Sequence, residues 1–216
     1  ALDNGASDLS SLKSNIDLAI SSIQAAIDGI DAITDLVQQA KGLASNAKAT
    51  GDTNERSTLA VQFNELLSQI DSIANDSTFN GINLLQASPD NLDVVFNEDN
   101  TSNLTITGLD TTTASTGINL GVAGNNFGAN ANIDTALTAI STALVTLRGN
   151  ASTMGSSNTI LKTRLDFTQN LVNTLEGGSG KLTLADLNEE SANLLALQTR
   201  QQLGLNSLSL AAQSER

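Results

Sequence analysis

A chain of 216 residues with 39% apolar content is long enough to bury a core, but five Phe and no Trp or Tyr mean that the core must be aliphatic. The absence of Cys and His removes thiolate nucleophiles, the usual zinc sites and imidazole acid–base chemistry, and with them most catalytic templates. A net charge of −13 repels nucleic acid and anionic membrane surfaces, no segment approaches the roughly 18 consecutive apolar residues of a membrane span, and the first residues carry no secretory signal pattern.

The first element is a heptad helix. Leu9, Ile16, Ile23, Ile30, Val37 and Ala44 recur every seven residues, each followed three residues later by Leu12, Ala19, Ala26, Ile33, Ala40 or Ala47. Ile20 and Ile27 widen this stripe, while Asp17, Asp28, Asp31 and Asp35 fall off it. The pattern predicts one helix over about residues 7–48, on the order of 60 Å long at 1.5 Å per residue, which makes it a rod. The turn residues Gly51-Asp52-Thr53-Asn54 break it, and one of Asp52, Thr53 or Asn54 caps the next helix. Leu59, Phe63, Leu66, Ile70 and Ile73 predict that this second, shorter helix folds back on the first and ends near residues 76–78. Phe79-Asn80-Gly81 places an Asn-Gly turn directly after it.

From residue 82 to 130 the composition turns to Asn, Thr, Gly and Asp, the sole Pro (Pro89) appears, and helical periodicity vanishes. Val94 and Phe96 alternate across an Asn97-Glu98-Asp99-Asn100 turn from Leu104 and Ile106, and Ile118, Leu120 and Val122 alternate as a third strand-like run. A second long heptad helix comes after this region. Its seams are Ile133, Ile140, Leu147, Met154, Leu161, Thr168 and Leu175, with Leu137, Leu144, Ala151, Asn158, Leu165 and Val172. Gly177-Gly178-Ser179-Gly180 is expected to stop this helix, and a last, leucine-rich helix is expected to begin near Thr183 or Leu184.

The fold expected is mainly α: an elongated antiparallel helical bundle, coiled-coil-like, with a small β subdomain inserted between two helical halves. The domains are residues 1–81 as the N-terminal helical half, 82–130 as the β subdomain, and 131–216 as the C-terminal half packing with 1–81. Such a rod offers long lateral faces to copies of itself, and a heterologous contact that does not close builds a helical filament.

Candidate sites reduce to ordinary structure or remain open. Asp90-Asn91-Leu92-Asp93 and Asn97-Glu98-Asp99-Asn100 offer oxygen ligands for calcium but match no EF-hand loop, and read as solvated turns. Glu189 and Glu190 are adjacent on a helix, so they point apart and do not form an acid–base pair. The glycine run at 177–180 lacks the strand and Lys-Ser/Thr of a phosphate loop. Arg148, Lys162 and Arg164 meet either a neighbouring subunit's acids or Asp28, Asp31 and Asp35 of the same rod. Asn158 in the seam either fixes register or marks a wet spot. No catalytic, cofactor or metal residues are assigned, and the chain reads as no enzyme.

Two segments resemble bacterial flagellin. Phe79-Asn80-Gly81-Ile82-Asn83-Leu84-Leu85 is similar to the turn between flagellin's N-terminal helices and its β region, and Leu194-Leu195-Ala196-Leu197-Gln198-Thr199-Arg200-Gln201-Gln202-Leu203-Gly204 to its C-terminal segment. The opening Ala1-Leu2-Asp3-Asn4 and Ala6-Ser7-Asp8-Leu9 are also similar, so the resemblance covers roughly residues 1–81 and 131–216. It implies an extracellular structural subunit of the flagellar filament, exported unfolded through the flagellar channel, with itself and the export and capping machinery as partners. A hook-filament junction protein, or a cell-surface homologue acting as an adhesin whose β insertion binds polysaccharide, are the alternatives. The chain departs from the family twice. A further terminal helix and a short apolar tail are missing, so it reads as a core without the segments that pair into the inner tube. Within Val37 to Asn46, Gln38, Gln39, Ala40, Lys41, Gly42 and Leu43 replace the Arg-Glu-Leu pattern that a vertebrate innate-immune receptor reads in some flagellins.

Overall fold

The computed structural model describes residues 2–214, with side-chain surroundings for 2–210. In chain order it contains α1 (Leu2–Ala49), α2 (Thr53–Asp76), β1 (Thr78–Phe79), β2 (Ile82–Asn83), β3 (Leu92–Val95), β4 (Asn103–Ile106), a short 3-10 turn at Gly124–Phe127, and α3 (Asn130–Ser214). The protein is mainly α, with antiparallel helices and two small two-stranded antiparallel sheets carried between α2 and α3. Packing divides the chain into two compact units, residues 11–168 and residues 1–10 with 169–216.

The larger unit owes its core to the heptad pattern. Every α1 seam residue from Ile16 to Ala47 is buried, and Ile133, Ile140, Leu147, Met154 and Leu161 of α3 join the same cluster. On α2 the buried set is Ala60, Phe63, Leu67, Ile70 and Ala74, so Leu59, Leu66 and Ile73 of the expected seam are half-buried flank residues. The stripe is wide enough for either line of residues to be read from sequence, and packing selected the one that carries two small alanines.

Local chemistry sets the joints. Asp52 caps α2, its carboxylate accepting from the Asn54 amide at 2.8 Å. Arg56 donates to Thr50 O (2.9 Å) and Asn130 Oδ1 (2.7 Å), tying the α1–α2 turn to the start of α3. Lys48 and Asp134 form an ion pair nearby. Asn80 and Gly81 form the expected turn, with φ of 51° and 79°, the positive values of a type I′ hairpin, and the turn pairs Phe79 with Ile82. Gly29 is required by close approach, because a methyl there would overlap Ser77 Oγ and Leu85 Cδ1.

Strands β3 and β4 pair Val94 with Leu104 and Leu92 with Ile106, which realises the hairpin expected across Asn97–Asn100. The third strand-like run does not form. Ile118 and Leu120 are buried, but their amides donate to Thr112 O (2.8 Å) and Thr113 O (3.0 Å) within one loop, and Asn119 between them has φ of 52°. Alternating burial is a property of any extended segment laid on a core, so it cannot by itself specify a ladder.

The glycine run is the second correction. Helix α3 is continuous through Gly177-Gly178-Ser179-Gly180, so the expected helix stop and separate last helix are absent. Each glycine costs about 1 kcal/mol relative to Ala, whereas breaking and restarting a helix incurs a fresh nucleation cost. In the smaller unit Ala6 and Val172 are buried, and a Cβ on Gly178 would stand 3.9 Å from Leu2 Cδ1. Cover ends there: every residue from 181 to 210 is exposed.

Candidate functional site: exposed helical faces

Three places stand out once the core is accounted for. The first is the uncovered length of α3. Leu182, Leu184, Leu187, Leu194, Leu195, Leu197, Leu203, Leu205, Leu208 and Leu210 are each between 54% and 70% exposed. Scattered exposed leucines are ordinary, but ten on one helix form a surface that water solvates poorly and that a partner would cover favourably. Glu189 and Glu190 lie in this exposed stretch.

The second is a groove of about 650 Å³ between α1 and α2. Half-buried Leu43 and Leu66 supply its apolar part, exposed Gln39, Asn46, Gln62 and Gln69 supply amides, and Glu65 is the one acid lining it. Gly42 has open space where a side chain would stand. This groove contains four positions of the Val37 to Asn46 window.

The third is the polar framework that fixes the β insertion on α2. Asn83, 3% exposed, donates through Nδ2 to Ala74 O (2.9 Å), Asn75 O (2.8 Å) and Thr78 Oγ1 (3.3 Å), and accepts at Oδ1 from the amides of Leu85 (2.8 Å) and Gln86 (3.0 Å). It therefore satisfies the orphan carbonyls at the end of α2 and the amides of the outgoing chain with one side chain. Two turns apart on α2, Asn64 and Asp71 repeat the device: Ala123 N donates to Asn64 Oδ1 (2.8 Å), and Thr113 donates its amide and hydroxyl to Asp71 at 2.7 and 3.0 Å. Phe63 and Phe127 meet edge to face at 5.2 Å below them. The sequence reading missed these roles. The available signal was a buried-position Asn inside the apolar run Ile82-Asn83-Leu84-Leu85.

Each acidic turn is internally engaged in part, while Glu98 and Asp99 are exposed. Asp90 Oδ2 accepts from Asn83 N (2.8 Å), Asp93 accepts from the Thr105 hydroxyl, and Asn97 Oδ1 accepts from Ser102 N (3.0 Å). Among the described residues no group of three or more acidic side chains converges as a metal would require. Asp28 accepts from Gln24 (2.9 Å), and no ion pair joins Asp28, Asp31 or Asp35 to Arg148, Lys162 or Arg164, so of the two alternatives the pairing along one rod is not formed. Arg164 instead stands 4.8 Å from the Phe96 ring centroid, clamping the β3–β4 hairpin to α3 by a cation–π contact. Asn158 is 8% exposed and its Oδ1 has no hydrogen-bond partner.

Residues 1–90 match the bacterial flagellin N-terminal helical region and residues 132–215 the bacterial flagellin C-terminal helical region. Flagellin FljM of Caulobacter vibrioides is 34% identical over 176 residues, covering 80% of this chain and 63% of the relative, so the chain spans under two thirds of that protein. In structure, the crystal structure of Bacillus cereus flagellin aligns with a TM-score of 0.63 at 21% identity, over 71% of this chain and 88% of that one. A putative flagellar hook-associated protein from Vibrio parahaemolyticus aligns with a TM-score of 0.67 at 15% identity, over 83% and 93%. At such identities the two structures speak to the fold.

Proposed function

Because the chain belongs to the bacterial flagellin family, a family of structural proteins, we propose that it is a structural subunit of the flagellar filament that polymerises through its helical faces and catalyses no reaction. The observation that carries this reading is the ten-leucine exposed surface on α3 between residues 181 and 210, which has apolar area to bury and no intramolecular cover. Self-association supplies that cover at every repeat. Its partners are copies of itself and the flagellar export and capping machinery, and its place is outside the cell on the flagellum.

The division of labour runs along the chain: residues 1–81 and 131–216 provide assembling helices, and 82–130 is an insertion fastened to α2 by Asn64, Asp71 and Asn83. The hook-filament junction reading shares this fold, but the Leu194–Gly204 segment favours the filament subunit. Electron microscopy and pelleting of the full-length protein after salt-induced polymerisation test the proposal. Helical filaments above a critical concentration are expected, and a protein that stays monomeric at every concentration removes it.

A further inference from the structure

In the larger unit, stretches of two helices differ in charge: between Lys13 and Lys41, α1 carries four Asp and no Lys or Arg. Between Asp134 and Asp166, α3 carries no Asp or Glu, in a chain holding 23 of them, and its charged residues there are Arg148, Lys162 and Arg164. All three are exposed, Arg164 being the one already held over Phe96, and Val145 (61%) and Ile160 (45%) add exposed apolar side chains to the same stretch. On α1, Asp17, Asp28, Asp31 and Asp35 are exposed, and the ion pair found among the described residues, Lys48–Asp134, involves none of them. We propose that the acid-free outer face of α3, residues 135–165, is a contact surface for a second copy of this chain, and that it receives the acidic face of that copy's α1.

The hydroxyls of this face favour burial. Those of Thr138, Thr142, Thr146, Thr153, Thr159 and Thr163 each donate to a carbonyl four residues earlier in the same helix. A neighbour can cover such threonines without stranding a donor, since the proton is already engaged and the methyl is left to pack. Spacing also agrees. Arg148 and Lys162 are 14 residues apart, as are Asp17 and Asp31, which is about 21 Å along either helix. Individual exposed pairs contribute little, so specificity comes from several in register rather than from one. Where each copy's α3 face takes one neighbour and its α1 face another, the contact is heterologous and propagates instead of closing into a dimer.

This contact rests on the filament reading, and the test separates them. Polymerisation of the full-length protein is compared at the lowest ionic strength at which the wild type still polymerises, where charges are least screened, for wild type, Arg148→Glu/Lys162→Glu, Asp17→Lys/Asp31→Lys, and all four changes together. Each double reversal is expected to raise the critical concentration about tenfold, and the fourfold variant to return within about threefold of wild type. Thermal melting of the monomers is expected to be unchanged, because all four positions are exposed. Reversals that polymerise like wild type, or a combined variant that fails to recover while melting normally, overturn the contact and leave the filament reading intact. A wild-type protein that forms no pelletable polymer at any ionic strength overturns both.

Discussion

The buried α1–α3 seam of residues 11–168 and the bare helix of residues 181–210 are built from the same aliphatic vocabulary, yet one is a core and the other a surface. In the first, Ile16, Ile23, Ile30 and Val37 on α1 are fully buried in one cluster with Ile133, Ile140 and Leu147 on α3. In the second, leucines of equal hydrophobicity stand more than half exposed. Apolar residues at helical spacing specify a helix and a demand for cover. Whether the cover comes from the same chain depends on which other segment arrives beside it.

The sharpest way to break this comparison is to delete the same methyl groups in both regions. Ile30→Ala leaves a cavity in a fully buried site and is expected to lower unfolding free energy by about 2–5 kcal/mol in urea titration. Leu203→Ala, at 59% exposure, is expected to stay within about 0.5 kcal/mol in the monomer while weakening polymerisation. Equal losses from the two substitutions would contradict the division into core and uncovered face.

Next in size is Asn83→Ala, which strands carbonyls at the end of α2 and the amides of Leu85 and Gln86. A loss of about 2–3 kcal/mol is expected, read by the same titration, with faster amide exchange at residues 78–90. Asn158→Leu sharpens the comparison from within the seam. It removes a buried oxygen that has no partner and is expected to raise stability by about 1–2 kcal/mol, while filaments become less uniform in electron micrographs if Asn158 fixes register. Unchanged uniformity would remove the register role and leave the stability gain. The smallest effect is expected for Gly178→Ala: about 0.5–1 kcal/mol of helix stabilisation, seen as slower amide exchange across 175–182, because a methyl there meets Leu2 at ordinary van der Waals distance.

Much of the fold was legible because its signals are local and repetitive. The α1 seam, a cap for α2 among residues 52–54, the Asn80-Gly81 turn and the Val94/Leu104 hairpin are each fixed by a period or a short motif that no distant residue needs to complete. The glycine run and the Ile118–Val122 alternation misled for the complementary reason. A helix break depends on what the ladder gains by continuing, and a strand needs a partner with free backbone groups, which Thr112 and Thr113 took up instead. Asn64, Asp71 and Asn83 were visible only as polar letters, since their acceptors and donors lie up to 59 residues away.

By itself, then, the sequence determined the rods, their aliphatic seams, the inserted β region and the kinship, since periodicity and motif are carried by neighbouring residues. The tertiary structure alone decided which apolar stripe became core, which charges remained unpaired and which side chains clamp the insertion. Those outcomes are settled by the competition of distant segments for the same surface, a competition that no stretch of sequence resolves on its own.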